Sequence, residues 1–304
     1  MKPNNKVPVD SEPAMLDDLP PGLHLHFDTF SGIAGDMTVA ALVDAGVPEK
    51  IVRDAVDAMK LPGLTIAFRD RRTHSLVGKS FCVTSGKDET RVSAHEKDHP
   101  QVPTGTIVSP GGSIGDSDGM AHDGHAHGHR DYGEIREMLN RAELPPETRE
   151  LAHKIFQVLA CAEAKIHGVD VDRVTFHEVG ADDSIADIVG MAAALTFLAP
   201  ASISASPPVL GTGLVETAHG WLPVPAPATV ELLRGLPVGT GGEGELTTPT
   251  GAALLATVAE RFGPPPDMKI VSQGFGVGDH PLADRPNALR VLLGAPLLGG
   301  GIHD

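Results

Sequence analysis

Four histidines within eight residues, His122, His125, His127 and His129, are the densest group of chemically able side chains in the sequence. Imidazole is a donor that suits nickel, copper and zinc, and a segment with little else in it can wrap several rings round one ion. A tract of this composition reads as metal-binding. A polar linker that picks up metal incidentally, as a purification tag does, has the same composition, and affinity alone ranks copper above nickel. A second group packs one histidine and four carboxylates into eleven residues: His177, Glu178, Asp182, Asp183 and Asp187. A helix starting near Ser184 brings Asp183 and Asp187 to one side. That side then offers hard metal ligands, or a general base beside the imidazole of His177. Asp183 as N-cap and Asp187 in the first turn are also what a helix start wants on its own. No capping rule asks for His177 and Glu178.

Two turns are candidates for holding an anion. Ser31, Gly32 and Gly35 lie between a strand and a helix, where backbone amides and the helix N-terminus favour phosphate. Their spacing is neither that of a Walker loop nor the dinucleotide fingerprint, and a tight turn alone explains the glycines as well. Thr248 and Thr250 flank Pro249 at another helix start, where caps look the same without a ligand. His24 and His26 alternate on a strand and share the face opposite Leu23, Leu25 and Phe27, which reads as a solvated face. His219 sits near the sole tryptophan, Trp221, as a pocket-lining candidate. Cys82 and Cys161 read as buried hydrophobes. No G-x-S-x-G supports nucleophilic hydrolysis.

The elements that must position these residues follow from hydrophobic period. Strict alternation over residues 23–27 predicts a strand, and the 3–4 spacing after Asp36 a helix ended by Gly46. A second helix opens at Pro48, and residues 64–71 and 77–84 read as strands. Period is lost from Ser85 to about Asp131, too long for a loop within a compact domain and therefore read as a disordered insertion. It returns in helices over 132–142 and 146–167 and in one starting near Ser184. A strand at 202–206, a Gly/Pro-rich hairpin region over 207–220, helices over 228–234 and from Thr248 to Phe262, and strands at 269–276 and 288–293 complete the pattern. Strands interleaved with helices predict an α/β or α+β fold, a mixed sheet with packed helices. The polar, Pro-rich residues 1–22 read as a disordered leader.

The 304-residue chain carries 24 Lys and Arg against 40 Asp and Glu, a formal net charge of −16. An acidic surface argues against nucleic acid and anionic membranes as partners, and 4% aromatics leave little for base stacking. Two cysteines exclude a disulfide scaffold and a Cys₄ zinc site. No segment is apolar for long enough to span a bilayer and no export signal is present, so a cytoplasmic location is expected.

Taken in order, several stretches resemble the LarC family, the nickel insertion proteins of nickel-pincer cofactor synthesis. They are residues 27–37, ending Gly35-Asp36-Met37, the His-rich insertion, residues 162–168, and Phe176-His177-Glu178-Val179-Gly180-Ala181. Residues 184–190, 222–229, 244–255 and 285–290 complete the set. The resemblance implies a LarC-like N-terminal domain over 23–84 and 132–294, interrupted by a His-rich insertion at 85–131 and followed by a tail at 295–304. It implies an enzyme, a nickel chelatase of the lyase class. Such an enzyme places Ni²⁺ into pyridinium-3,5-bisthiocarboxylic acid mononucleotide and serves lactate racemase-type apo-enzymes. The family's CTP and Mn²⁺ use belongs to a C-terminal domain that does not follow Gly294 here, so neither is carried over, and a separate C-terminal partner chain is expected.

That chemistry needs a nickel donor, a phosphate site and a base for the ring C–H proton. The expected metal ligands are His122, His125, His127, His129 and His177. The expected catalytic residues are Glu178 and Asp183, and Ser31, Gly32, Gly35, Thr248 and Thr250 are expected to hold the ligand's phosphate. Two alternatives from other classes stand beside this reading. One is a non-enzymatic nickel chaperone or store. The other is a phosphate-ligand enzyme whose His-rich segment is a passive linker.

Overall fold

A computed structural model describes residues 22–85, 130–176, 182–217 and 220–297. The fold is α/β, with a seven-stranded mixed sheet carrying helices and a second, three-stranded sheet. The alternation at the start of the ordered chain forms β1 (His24–Asp28), and Leu23, Leu25 and Phe27 are buried as its pattern predicts. After α1 (Gly35–Asp44) and α2 (Glu49–Ala58) come the long hairpin strands β2 (Leu64–Thr73) and β3 (Leu76–Ser85). Then come α3 (Tyr132–Arg141) and α4 (Pro146–His167), the latter stopped by Gly168 in the left-handed region. The carboxylate-rich helix is α5 (Asp182–Leu198), and β4 is Ser202–Ala205. The Gly/Pro-rich region is a true hairpin of β5 (Val209–Thr217) and β6 (Gly220–Val224), followed by α6 (Pro227–Leu232).

Three elements differ from expectation. A strand that periodicity did not predict, β7 (Gly239–Glu243), pairs in parallel with β5. With glycine at three of its five positions, it offers little side-chain alternation to read. Helix α7 (Pro249–Val258) stops short of Phe262, because Arg261–Phe262 form a two-residue strand, β8, beside β4. The last strand runs to Pro296, so β10 (Ala288–Pro296) extends past the expected domain limit, beside β9 (Met268–Val277).

The large sheet runs β2-β3-β9-β10-β1-β4-β8. Parallel pairs join β1 to β4 and β4 to β8, whereas β1–β10, β10–β9 and β2–β3 are antiparallel. Helix α1 lies across β3, β9 and β10, and α5 packs over α1 against α2 and α4. Helix α5 is apolar all round, with Ile188 to Leu195 buried, which is the pattern of a helix enclosed by others. Among the described residues no helix is long and apolar enough to cross a membrane.

Helix α1 approaches the sheet with no side chain between. A Cβ at Gly276 would collide with the Met37 carbonyl oxygen, and one at Gly274 with that of Ala41. The C-terminal end is pinned there too: the Asp44 carboxylate accepts from the Phe275 amide at 2.8 Å, and Ser272 Oγ donates to the Ala45 carbonyl at 2.7 Å. Gly276→Ala would have to push backbone from backbone and is expected to cost about 3–5 kcal/mol. A shift of the urea midpoint to much lower concentration checks this, with Ala288→Gly as a comparison that creates a small void instead.

Candidate functional site

Three helix starts converge beyond the C-terminal end of β1. The chain leaves β1 through residues 29–34 and enters α1 at Gly35, while the turn into α7 runs alongside. Ile33 donates to the Leu246 carbonyl at 3.0 Å and Thr248 donates back to Ile33 at 3.0 Å. This strand-like pairing draws the two segments so close that Gly32 and Gly251 admit no Cβ, which would strike the Leu246 and Ile33 carbonyls. Gly32 also has φ +92°, a conformation costly for any other residue. Helix α5 enters from the side, and Asp187, one turn in, lies on Gly35, where a Cβ would be 2.5 Å from Oδ2.

The result is a pair of half-buried carboxyls, Asp36 and Asp187. The Asp36 amide donates to the Asp187 carboxylate and the Met37 amide to the Asp36 carboxylate, so the exposed amides at the α1 start meet negative charge. Those bonds favour ionisation, but burial outweighs them. Asp36 is pushed up to about 6, by burial first and then by the Asp279 charge, with Arg71 acting the other way. Asp187 is raised well above the usual carboxylate range by burial, then by Asp36 and Asp183. Burial thus makes both carboxyls of the pair hold a proton more tightly than ordinary carboxylates. At the rim Arg71 is paired with Asp279, and Arg130 with Asp182.

The expected phosphate residues lie here but are committed internally. Ser31 Oγ donates to the Pro286 carbonyl at 2.8 Å, and the Gly32 amide donates to Thr29 at 2.9 Å. Thr248 caps α7, its Oγ1 accepting from Gly251 at 3.2 Å, while Thr250 is buried and Gly35 is covered by Asp187. Next to Pro286 in sequence, Arg285 has a buried Nε without a hydrogen-bond partner, in an ion pair with Asp284 at 3.8 Å. Asp183 is in the first turn of α5, not at its N-cap, because the helix begins at Asp182, and its carboxylate accepts from Ser184 at 2.8 Å. Its charge reaches Asp187 along the same helix side. His177, Glu178 and His219, with the tract His122, His125, His127 and His129, lie outside the described residues. Among the described residues no three His, Cys, Asp or Glu are arranged to hold a metal ion.

Residues 25–301 match the protein family described as nickel insertion protein. The chain belongs to that family. It is 47% identical over 271 residues to a protein of Geobacter sulfurreducens named "Putative nickel insertion protein", covering 89% of this chain and 61% of that one. A protein of the same name from Citrifermentans bemidjiense is 43% identical, with 88% and 60% covered, and one from Myxococcus xanthus is 40% identical, with 89% and 60% covered. The chain thus spans about 60% of the length of these relatives. No solved structure matches it.

Sequence reasoning passed over Asp36 and took Asp187 only as one of the carboxylates on one side of α5, not as its partner. Both stand in stretches that carried the family resemblance, and each follows a helix start, where a carboxylate is ordinary. Only their meeting across α1 and α5 sets them apart. Two other expectations are corrected. His24 and His26 are buried, not solvated, because serines of β4 stand opposite them. Cys161 is exposed and Cys82 half-buried, since Cys161 falls off the buried stripe of Ile155, Leu159 and Ala162 on α4.

The raised carboxyls set a sign for stability against pH. A folded-state pKa above the unfolded 3.8 means the native protein holds a proton the unfolded chain releases, so Asp36 stabilises the fold at low pH and loses this as pH rises from about 4 to about 6. Asp187, raised in the same direction, adds to this loss. Buried His26, lowered to about 4, contributes in the opposite sense over its own window. The test is therefore differential: Asp187→Asn should gain stability on the wild type as pH rises above about 4 in urea denaturation. A constant difference would remove the raised proton affinity of Asp187.

Proposed function

We propose that this chain inserts nickel into a pyridinium dithiocarboxylate mononucleotide, with Asp36 and Asp187 taking the ring proton. The supporting observation is the half-buried carboxyl pair at the α1 start, in a chain of the nickel insertion family. In the reaction a carbon–nickel bond replaces a ring C–H bond, and the two thiocarboxylate sulfurs complete the binding of Ni²⁺. The released proton needs an acceptor that is ionised near neutrality yet basic enough to hold it. Asp36, raised to about 6, meets that description, and Asp187, itself raised well above the usual carboxylate range, stands beside it as a second acceptor. Asp183 tunes the pair through its charge.

Nickel is the cargo in this reading. The tract His122, His125, His127 and His129 collects it, and His177 and Glu178, which precede α5 in the chain, hand it to the substrate's sulfurs. The substrate's phosphate is held beside the convergent helix starts with Arg285 as the cation, since the Ser31 and Thr248 hydroxyls are already bonded within the protein. The segment that the longer relatives have and this chain does not span supplies the remaining partner function, and an apo-enzyme of the lactate racemase type receives the product.

The experiment incubates the purified chain with Ni²⁺, the dithiocarboxylate mononucleotide and, in a parallel arm, the C-terminal portion of a relative, following nickel incorporation by mass spectrometry. Asp36→Asn is expected to slow incorporation by roughly 10²–10⁴-fold with bound nickel unchanged. The wild-type rate should rise with pH through about 6. Deleting residues 120–129 is expected to lower nickel stoichiometry and leave the pH profile in place. Full incorporation by an Asp36→Asn, Asp187→Asn double variant would remove the pair from the chemistry. Nickel binding without incorporation in any arm would favour a chaperone.

A further inference from the structure

The sheet has a second chemical face. His24, His26 and Asp28 alternate on β1 opposite the helix-packed side, and cross-strand register sets His24 beside Ser202, His26 beside Ser204 and Asp28 beside Arg290. The side chains join in a row: Ser202 Oγ to His24 Nδ1 at 2.7 Å, His24 Nε2 to Ser204 Oγ at 2.7 Å, and Ser204 Oγ to His26 Nδ1 at 2.8 Å. His24, His26 and Ser204 are all at least nine-tenths buried. Apolar side chains at these positions would serve a sheet better, since buried polar groups recover their desolvation only when fully bonded.

The row ends at a cavity of about 360 Å³, whose walls include His26, Asp28, Ser206, Arg290 and the rigid prolines Pro264 and Pro265. With Nδ1 spent on Ser204, Nε2 is the His26 nitrogen left for a ligand. Arg290 gives both Nε and Nη2 to Oδ2 of Asp28, so Nη1 remains, and its side chain is the more exposed half of that pair.

We propose that this cavity binds a small phosphate- or carboxylate-bearing molecule, its anionic group held by Arg290 and His26, and that the histidine row reverses its hydrogen bonds to suit the occupant. Ser204 has one hydroxyl proton. Given to His26 Nδ1, it makes Nε2 an N–H donor toward the cavity; His24 Nε2 then donates to Ser204, and Ser202 donates to His24 Nδ1. Given to His24 instead, it leaves His26 Nε2 with a lone pair, and the bond to Ser202 reverses. An anion selects the first arrangement. Both rings stay neutral throughout, so no net proton is taken up. Burial keeps His26 neutral, aided by His24, Arg261 and Arg290 against the opposing charge of Asp28, while Arg261 and Glu260 act oppositely on His24. The site is independent of the nickel-insertion reading, since none of its groups belongs to the carboxyl pair.

Histidine-ring ¹⁵N NMR of the full, metal-stripped chain tests this, because ring nitrogen shifts report the tautomer directly. His24→Gln and His26→Gln assign the two rings. Inorganic phosphate and acetate, titrated separately against matched chloride, should each drive the His26 signal saturably toward the Nε2–H form if the shared chemistry is right, and the tighter of the two names the class. His24, which does not line the cavity, should change tautomer in step. Ser204→Ala should keep the His26 response and abolish that of His24, and Arg290→Lys, which keeps the charge but loses the fork, should weaken binding by roughly tenfold. No saturable response to either anion, or one untouched by Arg290→Lys, would overturn the site. A His24 response that survives Ser204→Ala would overturn the relay.

Discussion

The site rests on a carboxylate laid against the first amides of a helix. At the start of α1 the N-cap residue, Ala34, has no side chain to bond the free N–H groups, and Asp187 of α5 supplies the missing acceptor. For the two helices to meet this closely, position 35 must be glycine and α1 must lie directly on β9, which Gly274 and Gly276 allow. The same closeness buries the carboxyls and drives their proton affinity up. Stabilisation of the helix start and destabilisation of the charge are thus two outcomes of one contact, and the balance raises the proton affinity of both carboxyls.

Two helix starts locked by the Ile33–Leu246 and Thr248–Ile33 bonds make a rigid seat for this pair. Rigidity matters to a proton acceptor, because a carboxyl that could swing into water would recover its ordinary affinity. The glycines and threonines of both turns are used in building the seat. The Ser31 and Thr248 hydroxyls and the Gly32 and Gly251 amides face protein partners, and a tight turn or a cap uses the same residues as an anion site would.

The sheet separates two kinds of chemistry. Its helix-covered face carries Leu25, Phe27, Leu289, Val291 and Leu293 and anchors α1. The opposite face carries imidazoles, hydroxyls and an Asp28–Arg290 pair, none of which an apolar core would tolerate unpaired. One strand, β1, supplies both, since alternate residues point to opposite sides.

Much of this was legible in the residues. Strict alternation marked β1, apolar stretches read as strands at β2, β3, β9 and β10, the 3–4 spacing marked α1 and α4, and Pro249 with Thr248 marked the α7 start, because such elements are written in the spacing of apolar side chains and in caps. The family stretches marked nickel insertion. What they did not disclose is which two of the 40 carboxylates would meet, because Asp36 and Asp187 are 151 positions apart and each is unremarkable at a helix start. Nor did alternation say whether His24 and His26 face water: a polar strand face is solvated until neighbouring strands bring serines across it. Local period and composition determine elements and class, being properties of adjacent residues. Burial, and with it the proton affinity of a carboxyl or the tautomer of an imidazole, depends on what long-range packing brings alongside, and only the tertiary structure decided that.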